Sequence, residues 1–230
     1  MPAEPPAEPA PLTLPRGVLL DMDGTLVDTE PLWWRAAEEA ATRTGRPLEP
    51  RDAADVVGQP VARTAAFLHA RGDGVLAPAE LGALLEDRFL ALVGTELTVL
   101  PGATGLLALL RASGIATALV SASPRPVMDV VLRALGAHGF TTTVAAGESR
   151  RTKPHPDPYL AALAALELTA AVCLAVEDSP TGLAAAEAAG LAVVLVPSRV
   201  HRDPAPGRTF VGALAEIDLA LLDRALSGRA

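Results

Sequence analysis

The sequence predicts an α/β fold, a doubly wound parallel sheet with an inserted helical segment, and two observations support this prediction. Five short apolar runs of four or five residues recur along the chain, and such runs are typical of strands buried on both faces of a sheet. The later four runs alternate with helical patterns, which is the order that a parallel sheet requires.

The predicted strands are residues 17–20, 116–120, 142–146, 172–176 and 192–196. Helical patterns separate the later strands at about residues 103–112, 126–135, 158–166 and 181–189. Gly114, Gly136 and Gly190 follow three of these helices, and glycine is a frequent stop signal at a helix C-terminus. Strand and helix are therefore expected to alternate through this half of the chain.

Residues 31–97 interrupt the alternation, because they contain helical patterns at 32–44, 61–70 and 78–93 and no strand pattern. An insertion at this point predicts a helical cap at residues 31–97, with hinges near 29–31 and 98–102. The sheet-forming core would then comprise residues 16–30 and 98–230. Residues 1–15 are rich in Pro, Ala and Glu, which bury too little apolar surface to become ordered, so a disordered tail is expected.

The composition favours a helix-rich globular protein and argues against several partners. Of 230 residues, 50% are apolar and 3% aromatic, and the formal net charge is −8. Without a basic stripe the chain is not expected to bind nucleic acid. The absence of a signal pattern and of an apolar run near the roughly 20 residues that span a bilayer predicts a soluble, cytoplasmic protein without membrane partners. One cysteine, Cys173, excludes an internal disulfide, and a monomer is expected rather than an oligomer.

Polar residues with unusual chemistry fall where the predicted strands end. Ligand sites in open α/β sheets form outside the carboxyl ends of the strands. Five ionisable groups and one hydroxyl are expected to meet at that edge: Asp21 and Asp23 after the first strand, Ser121 after the second, Lys153 beyond the third, and Glu177 with Asp178 after the fourth. The sequence therefore predicts one site built from distant segments.

The types of these residues indicate what the site binds. Four carboxylates repel one another unless a cation neutralises them, and oxygen ligands without nearby His or Cys suit Mg²⁺. An ammonium, a hydroxyl and backbone N–H groups beside the cation fit a phosphoryl dianion. Lys153 is the only lysine among 19 basic residues, and a compact ammonium is not interchangeable with a planar guanidinium at a crowded site.

Each of these residues also has an ordinary structural explanation when taken alone. Asp21 and Asp23 could form a turn after the strand. Ser121 and Asp178 could each cap the helix that follows. Lys153 could occupy a solvated loop by chance. Only the convergence of all of them favours a functional site.

Four segments carry a family resemblance: D-M-D-G-T-L-V-D-T at residues 21–29, V-S-A-S at 120–123, K-P-H-P-D at 153–157 and V-E-D-S-P-T-G at 176–182. In order and spacing they resemble the four motifs of the haloacid dehalogenase (HAD) superfamily. The chain looks most like the subgroup with a helical cap after the first motif, which includes sugar phosphatases and β-phosphoglucomutase. The resemblance covers residues 17–197 and implies a HAD-like, Rossmannoid fold.

The resemblance also implies roles at the matching positions. Asp21 would be the nucleophile that forms an aspartyl-phosphate, and Asp23 would be the general acid and base. Ser121 and Lys153 would hold the phosphoryl group, together with backbone N–H groups at Met22 and Ala122.

The implied Mg²⁺ ligands are Asp21, the backbone carbonyl of Asp23, Asp178 and, directly or through an intervening group, Glu177. The cap would then close over the substrate and supply specificity, with Glu30, Trp33, Arg63 and Arg125 as candidate lining residues.

The implied function is a Mg²⁺-dependent phosphatase acting on a small phosphorylated metabolite, a sugar or polyol phosphate. A phosphomutase of the β-phosphoglucomutase type is the nearest alternative. Such mutases have a His five residues after the last aspartate of the first motif, where this chain has Trp33, and an Arg three residues after a Gly, where it has Val61. A non-catalytic phospho-acceptor or binding module would share the strand-end aspartates but has no need of a long helical insertion.

Overall fold

The structure is a computed structural model that describes residues 12–72, 74–136, 139–196 and 204–228. Residues 1–11 of the predicted tail therefore lie outside the described residues. Residues 12–15 have no regular secondary structure, but the backbone N–H of Thr13 donates to Asp223 Oδ1 at 2.7 Å. This short stretch of the predicted tail is thus attached to the C-terminal part of the chain.

The strands of the described residues are β1 Gly17–Leu20, β2 Val27–Asp28, β3 Thr98–Val99, β4 Ala116–Pro124, β5 Thr142–Ala146, β6 Cys173–Glu177, β7 Ala192–Leu195 and β8 Arg208–Phe210. The α-helices are α1 Glu30–Arg43, α2 Ala53–Val56, α3 Val61–Arg71, α4 Pro78–Glu96, α5 Ala103–Ala112, α6 Arg125–Ala134, α7 Asp157–Ala165, α8 Pro180–Ala188 and α9 Leu219–Ser227. Short 3-10 turns occur at Pro50–Asp52, Ala170–Val172 and Leu214–Glu216.

Six strands form one parallel sheet in the order β5-β4-β1-β6-β7-β8, while β2 and β3 pair as a separate antiparallel ribbon. From β1 the chain first builds the β4 side of the sheet and then returns to build the β6 side. Ligands of doubly wound sheets bind where the strand order reverses, at the carboxyl ends of the strands. The predicted fold class is confirmed.

Helices cover both faces of the sheet because successive side chains of a strand point in opposite directions. Val18 and Leu20 of β1 belong to an apolar cluster that includes α5, α6 and α9, whereas Leu19 belongs to a second cluster with α7 and α8. All four residues of β1 are buried, as the continuous apolar run predicts.

The helices and strands expected from the sequence lie within about three residues of the observed bounds, apart from the end of β4, which extends to Pro124. The elements missed were β2, β3, β8, α2 and α9. The strands among them contain two or three residues and are too short to show a period. The start of α9 did carry a signal, since the Asp218 side chain caps it by accepting from the N–H of Leu221 at 2.7 Å.

Between β2 and β3 the described residues contain helices and no strand. Helix α4 packs against both α1 and α3, and the first apolar cluster continues from the sheet into these helices. The division into a cap at residues 31–97 and a core stays a prediction. Among the described residues, no helix is both long and apolar enough to cross a membrane.

Candidate active site

The pairing register of β1 places two carboxylates side by side at the edge of the sheet. Leu20 lies beside Leu119 of β4 and Val176 of β6, with all three strands parallel. Asp21 and Glu177 are the next residues after Leu20 and Val176. Because β1 and β6 are parallel and in this register, Asp21 lies at the level of Glu177, the last residue of β6.

Lys153 reaches these carboxylates from the segment between β5 and α7. Its Nζ donates to Asp21 Oδ1 at 2.6 Å, to Glu177 Oε1 at 2.6 Å and to the backbone oxygen of Val120 at 3.0 Å. An ammonium has three protons, so these three hydrogen bonds use all of them. The Lys153 side chain is only 4% exposed, which excludes the solvated-loop explanation.

Asp178 follows β6 and lies against the turn after β1. Gly24 in that turn has a φ of 82°, and a Cβ at this position would overlap the Asp178 carboxylate. Glycine therefore satisfies both the left-handed backbone and the close approach. Asp178 is not the cap of α8, because Ser179 occupies the N-cap and its side chain accepts from the N–H of Gly182 at 3.0 Å.

The Glu177 carboxylate is fully buried and surrounded by hydrogen-bond donors. Besides Lys153, Oε1 accepts from the hydroxyl of Tyr159 at 2.5 Å. Oε2 accepts from Ser179 Oγ at 3.2 Å and from the backbone N–H of Asp178 at 3.2 Å. Both oxygens of Glu177 are thus engaged in positioning neighbouring groups.

Asp23 has different partners from Asp21. Its Oδ1 accepts from Thr29 Oγ1 at 2.8 Å, and its Oδ2 accepts from Ser121 Oγ at 2.7 Å. Regular pairing of β4 with β5 is interrupted just after Val120, which leaves Ser121 at the end of the regular ladder. The N-cap of α6 is Pro124, so Ser121 links β4 to Asp23 instead of capping a helix.

Burial and like charges shift the ionisation of the site. Burial is the main cause that raises the pKa of Asp21 to about 7; Glu177 adds to it and Lys153 opposes it. Burial likewise raises the pKa of Asp178 to about 9, with further contributions from Asp21 and Glu177. Burial disfavours the charged ammonium of Lys153, but Asp21 and Glu177 outweigh it and raise its pKa well above its usual range. One ammonium is therefore too little positive charge for this group of carboxylates.

The same residues fit a divalent cation. Asp21, Glu177 and Asp178 can each present a carboxylate oxygen within 4.8 Å of the others. Among the described residues, Asp21 Oδ2 and Asp178 Oδ1 are buried oxygens without a hydrogen-bond partner. Leaving such oxygens unsatisfied is costly, and a cation that prefers oxygen ligands would satisfy both.

Glu30 and Trp33, two of the residues expected to contact the substrate, have different surroundings in the structure. Glu30 begins α1, and its charge is close enough to Asp178 to contribute to the raised pKa of that carboxyl. Trp33 is 8% exposed, its Nε1–H donates to the Val56 oxygen at 2.8 Å, and its ring packs edge-on against Phe89 at 5.2 Å. Trp33 is therefore engaged in packing within the helical insertion.

The remaining residues that the sequence suggested for substrate or phosphate binding are Arg63, Arg125, Met22 and Ala122. Arg63 is exposed on α3. Arg125 forms an ion pair with Glu148 and donates to Thr143 Oγ1 at 2.9 Å, which ties the start of α6 to β5 and the segment after it. The Met22 side chain is buried and Ala122 is exposed, while phosphate binding by their backbone N–H groups stays a prediction.

Sequence reasoning missed three residues that complete the hydrogen-bond network: Thr29, Tyr159 and Ser179. Thr29 and Ser179 lie inside two of the quoted motifs, and both are residue types that cap and bond locally. Tyr159 is the only tyrosine of the chain and lies just after K-P-H-P-D in an apolar helical pattern. A buried tyrosine needs a partner for its hydroxyl, and that requirement was the available signal.

A doubly wound sheet that brings a buried lysine and a cluster of carboxylates together at its strand ends is the arrangement of an α/β enzyme with its active site at that edge. The family model of the haloacid dehalogenase-like hydrolases matches residues 15–190. The chain belongs to this family and is a hydrolase, and the family typically uses a divalent metal.

Individual relatives resemble the chain over nearly its whole length. Hexitol phosphatase B of Escherichia coli (strain K12) is 31% identical over 218 residues, which cover 92% of this chain and 96% of that protein. A crystal structure of CbbY from Rhodobacter sphaeroides with phosphate has a TM-score of 0.81 at 28% identity, covering 91% of this chain and 100% of that one. A mutant CbbY from the same organism in complex with xylulose-(1,5)bisphosphate has a TM-score of 0.79 at 27% identity, covering 91% and 99%.

Proposed function

We propose that the protein is a Mg²⁺-dependent phosphatase that hydrolyses a small sugar or polyol phosphate through phosphorylated Asp21. The observation that carries the proposal is the hydrogen bonding of the two Asp21 carboxylate oxygens. Lys153 holds one oxygen at 2.6 Å, and the other is buried without a partner among the described residues, beside Asp178. This is an oriented carboxylate with a free oxygen, next to a site for a cation.

Asp21 is the nucleophile of the proposed first step. A carboxylate oxygen of Asp21 forms a bond to phosphorus while the bond from phosphorus to the ester oxygen breaks. Lys153 stays protonated because its pKa is raised, and it offsets the negative charge that accumulates when Asp21 approaches a phosphate. All three ammonium protons are already donated, so a bond from Lys153 to the phosphoryl group requires that one of them be shared.

Asp23 is the proposed proton carrier. In the first step it gives a proton to the departing alcohol oxygen; in the second it takes a proton from the water that attacks phosphorus and releases Asp21. Thr29 and Ser121 hold the two oxygens of Asp23 by hydroxyl groups that can exchange partners. One of these hydrogen bonds must give way to the bond with the leaving oxygen.

The carboxylates of Asp21 and Asp178 and the backbone carbonyl of Asp23 are the proposed ligands of Mg²⁺. When bound, Mg²⁺ supplies electrostatic stabilisation of the phosphoryl oxygens. Glu177 is not proposed as a direct ligand, because donors already occupy both of its oxygens.

A hydroxyl-rich leaving group is supported by the relatives and by Glu30. One relative is named a hexitol phosphatase, and another was crystallised with xylulose-(1,5)bisphosphate. A carboxylate near the site, such as Glu30, accepts hydrogen bonds from hydroxyl groups and repels a carboxylate of the substrate. We therefore expect sugar and polyol phosphates to be better substrates than phosphoglycolate.

Trp33 favours hydrolysis over the mutase alternative. The resemblance to mutases requires an ionisable His at this position, and the buried indole is held by Val56 and Phe89. An indole cannot accept or donate a proton in acid-base catalysis at neutral pH. Water is therefore expected to reach the phosphorylated Asp21 and hydrolyse it.

The test is a panel of phosphate esters ranked by kcat/KM from released phosphate: hexose, deoxyhexose and polyol phosphates, nucleotides and phosphoglycolate. The control is the Asp21→Asn variant under the same conditions. A nucleotide or phosphoglycolate at the head of the ranking would overturn the substrate class, and no release from any ester in saturating Mg²⁺ would overturn the reaction. Rapid conversion of β-glucose 1-phosphate to glucose 6-phosphate, with a trace of the 1,6-bisphosphate and little phosphate release, would establish the mutase instead.

A further inference from the structure

Tyr159 is a fully buried tyrosine on α7 that contacts two residues of the site, Glu177 and Lys153. Its hydroxyl donates to Glu177 Oε1 at 2.5 Å. The same oxygen accepts from Lys153 Nζ at 2.6 Å, and that ammonium lies 5.1 Å from the centre of the Tyr159 ring. One side chain therefore contacts both the lysine and the carboxylate that competes with Asp21 for it.

The direction of the hydrogen bond follows from the charges around it. Burial, and then the charge of Glu177, raise the pKa of the Tyr159 phenol well above its usual range. The phenol therefore keeps its proton and donates it to the carboxylate.

Lys153 is shared equally by two carboxylates, since Nζ lies 2.6 Å from Asp21 Oδ1 and 2.6 Å from Glu177 Oε1. The phenol stabilises part of the charge on Glu177, so this carboxylate attracts the ammonium less strongly than it otherwise would. Without the phenol, the buried Glu177 would have one donor fewer, and the nearest cation would shift toward it. Asp21 would then lose part of its orientation and of its counter-charge.

We infer that Tyr159 is a positioning residue that, through its hydrogen bond to Glu177, keeps the Lys153 ammonium on Asp21. The inference deepens the proposed function and rests on it for its kinetic consequence. The ring adds to the effect, because an aromatic face near an ammonium stabilises its charge.

The kinetic test uses Tyr159→Phe, which keeps the ring and removes only the hydroxyl. We expect kcat to fall by roughly 10- to 100-fold, the usual range for groups that orient a catalytic ligand, with KM changed by less than about twofold. Leu163→Ala is the matched control, because Leu163 is buried on the same helix and in the same apolar cluster. It should lower the melting temperature but leave kcat per folded molecule near the wild-type value. A wild-type kcat in Tyr159→Phe, or equal losses in both variants, would overturn the inference.

A double-mutant cycle tests whether Tyr159 acts through Glu177. Glu177→Gln removes the competing charge. In that background Tyr159→Phe should lower kcat by less than about a further twofold, because both changes act on the same hydrogen bond. If the fold-loss of kcat in the double variant equals the product of the losses in the two single variants, Tyr159 does not act through Glu177 and the inference is contradicted.

A spectroscopic readout does not depend on activity. Lys153 is the only lysine of the chain, so selective ¹⁵N-lysine labelling gives one side-chain ammonium signal. In Tyr159→Phe this Nζ signal should move and its protons should exchange faster with water, while in Leu163→Ala it should stay in place. An unchanged signal in Tyr159→Phe would overturn the inference. A wild-type protein that hydrolyses no ester would overturn the proposed function, and the spectra would still decide the hydrogen-bond arrangement.

Discussion

Asp21 and Asp23 are the same residue type two positions apart, but their surroundings give them different chemistry. Asp21 is buried, bonded to an ammonium, and has one oxygen without a partner among the described residues. Asp23 is half-buried and is held by two neutral hydroxyl groups. In the proposed mechanism the first environment orients the nucleophile beside a compensating charge, and the second holds Asp23 by two hydroxyl groups.

The Asp21→Asn variant should fold normally and lose activity. An amide of the same shape can still accept the hydrogen bond from Lys153, but it cannot attack phosphorus. We expect kcat to fall at least about 10³-fold, measured from phosphate release after circular dichroism has shown the wild-type spectrum. A rate as high as one tenth of the wild type would contradict the covalent mechanism.

The Asp23→Asn variant should fail in a way that depends on the leaving group. An alkyl phosphate needs a proton on its departing oxygen, whereas a nitrophenolate leaves without one. In single-turnover experiments the release of the leaving group reports the rate of the first step. Asp23→Asn should therefore lower this rate less with nitrophenyl phosphate than with a sugar phosphate. Equal losses for both esters would argue against the acid role of Asp23.

The Lys153→Arg variant tests whether the sole lysine is required. The pocket holds a compact ammonium between three acceptors at 2.6, 2.6 and 3.0 Å, and a planar guanidinium cannot meet the same geometry. We expect kcat to fall by about 100-fold or more. The reciprocal change at an exposed neighbour, Arg151→Lys, is the control and should leave kcat unchanged. A near-normal rate in Lys153→Arg would make the single lysine a coincidence of composition.

At the scale of elements, the junction of β6 and α8 determines the position of Glu177 and Asp178. Ser179 caps the helix, which fixes where α8 begins relative to the strand end. Gly182 lies in the first turn of α8, and a Cβ there would overlap the Glu177 carboxylate. The helix can approach the strand end this closely only with glycine at this position.

The Gly182→Ala variant should therefore be destabilised although alanine favours helices. Displacement of Glu177 by the added methyl group should cost about 1–3 kcal/mol of unfolding free energy and should also lower kcat. Gly105→Ala is the matched control, because Gly105 is exposed in α5 and nothing lies within 4 Å of the added Cβ. That change should stabilise the protein by up to about 1 kcal/mol. Urea unfolding in chelator measures both, and a stabilised Gly182→Ala would contradict the close packing.

At the scale of the whole molecule, the site concentrates negative charge in a chain that is already acidic, with a net charge of −8. The fold brings buried carboxylates together with one ammonium, and their mutual repulsion is a cost to stability in the absence of metal. The stability of the protein should therefore depend on both pH and divalent cations.

The free energy of unfolding of the metal-free protein should fall as pH rises. The pKa values of Asp21 and Asp178 are raised from 3.8 to about 7 and about 9, so in this range the folded state holds protons that the unfolded state releases. The stabilising contribution is complete below about pH 4 and is lost as pH rises through the folded pKa values, by up to about 1.4 kcal/mol per pH unit for each group.

Mg²⁺ should reverse this loss, because it binds the deprotonated carboxylates. Melting temperatures between about pH 5 and 8, with Mg²⁺ or with chelator, measure the effect, and the increase caused by Mg²⁺ should grow with pH. The Asp178→Asn variant is the control and should show little increase. A Mg²⁺ effect independent of pH would contradict the raised pKa values.

Periodicity and local motifs predicted most of the helices and strands, because burial patterns and helix stop signals are properties of residues that are neighbours in the sequence. The run 17–20 and the repeated strand and helix patterns were enough to place the sheet and its ligand edge. The same local reasoning overlooked β2, β3 and β8, whose formation depends on partners elsewhere in the chain.

By itself the sequence determined the α/β class, the strand ends, and the set of acidic, hydroxyl and lysine side chains that gather there. Only the tertiary structure decided which groups pair. Lys153 meets Asp21 across 132 positions of the chain, and Tyr159 meets Glu177 across 18. Only the structure showed that Trp33, a candidate substrate contact, packs against Phe89 and donates to Val56. The physical reason is that hydrogen bonds and charge interactions depend on distances of about 3 Å through space, which spacing along the chain does not determine.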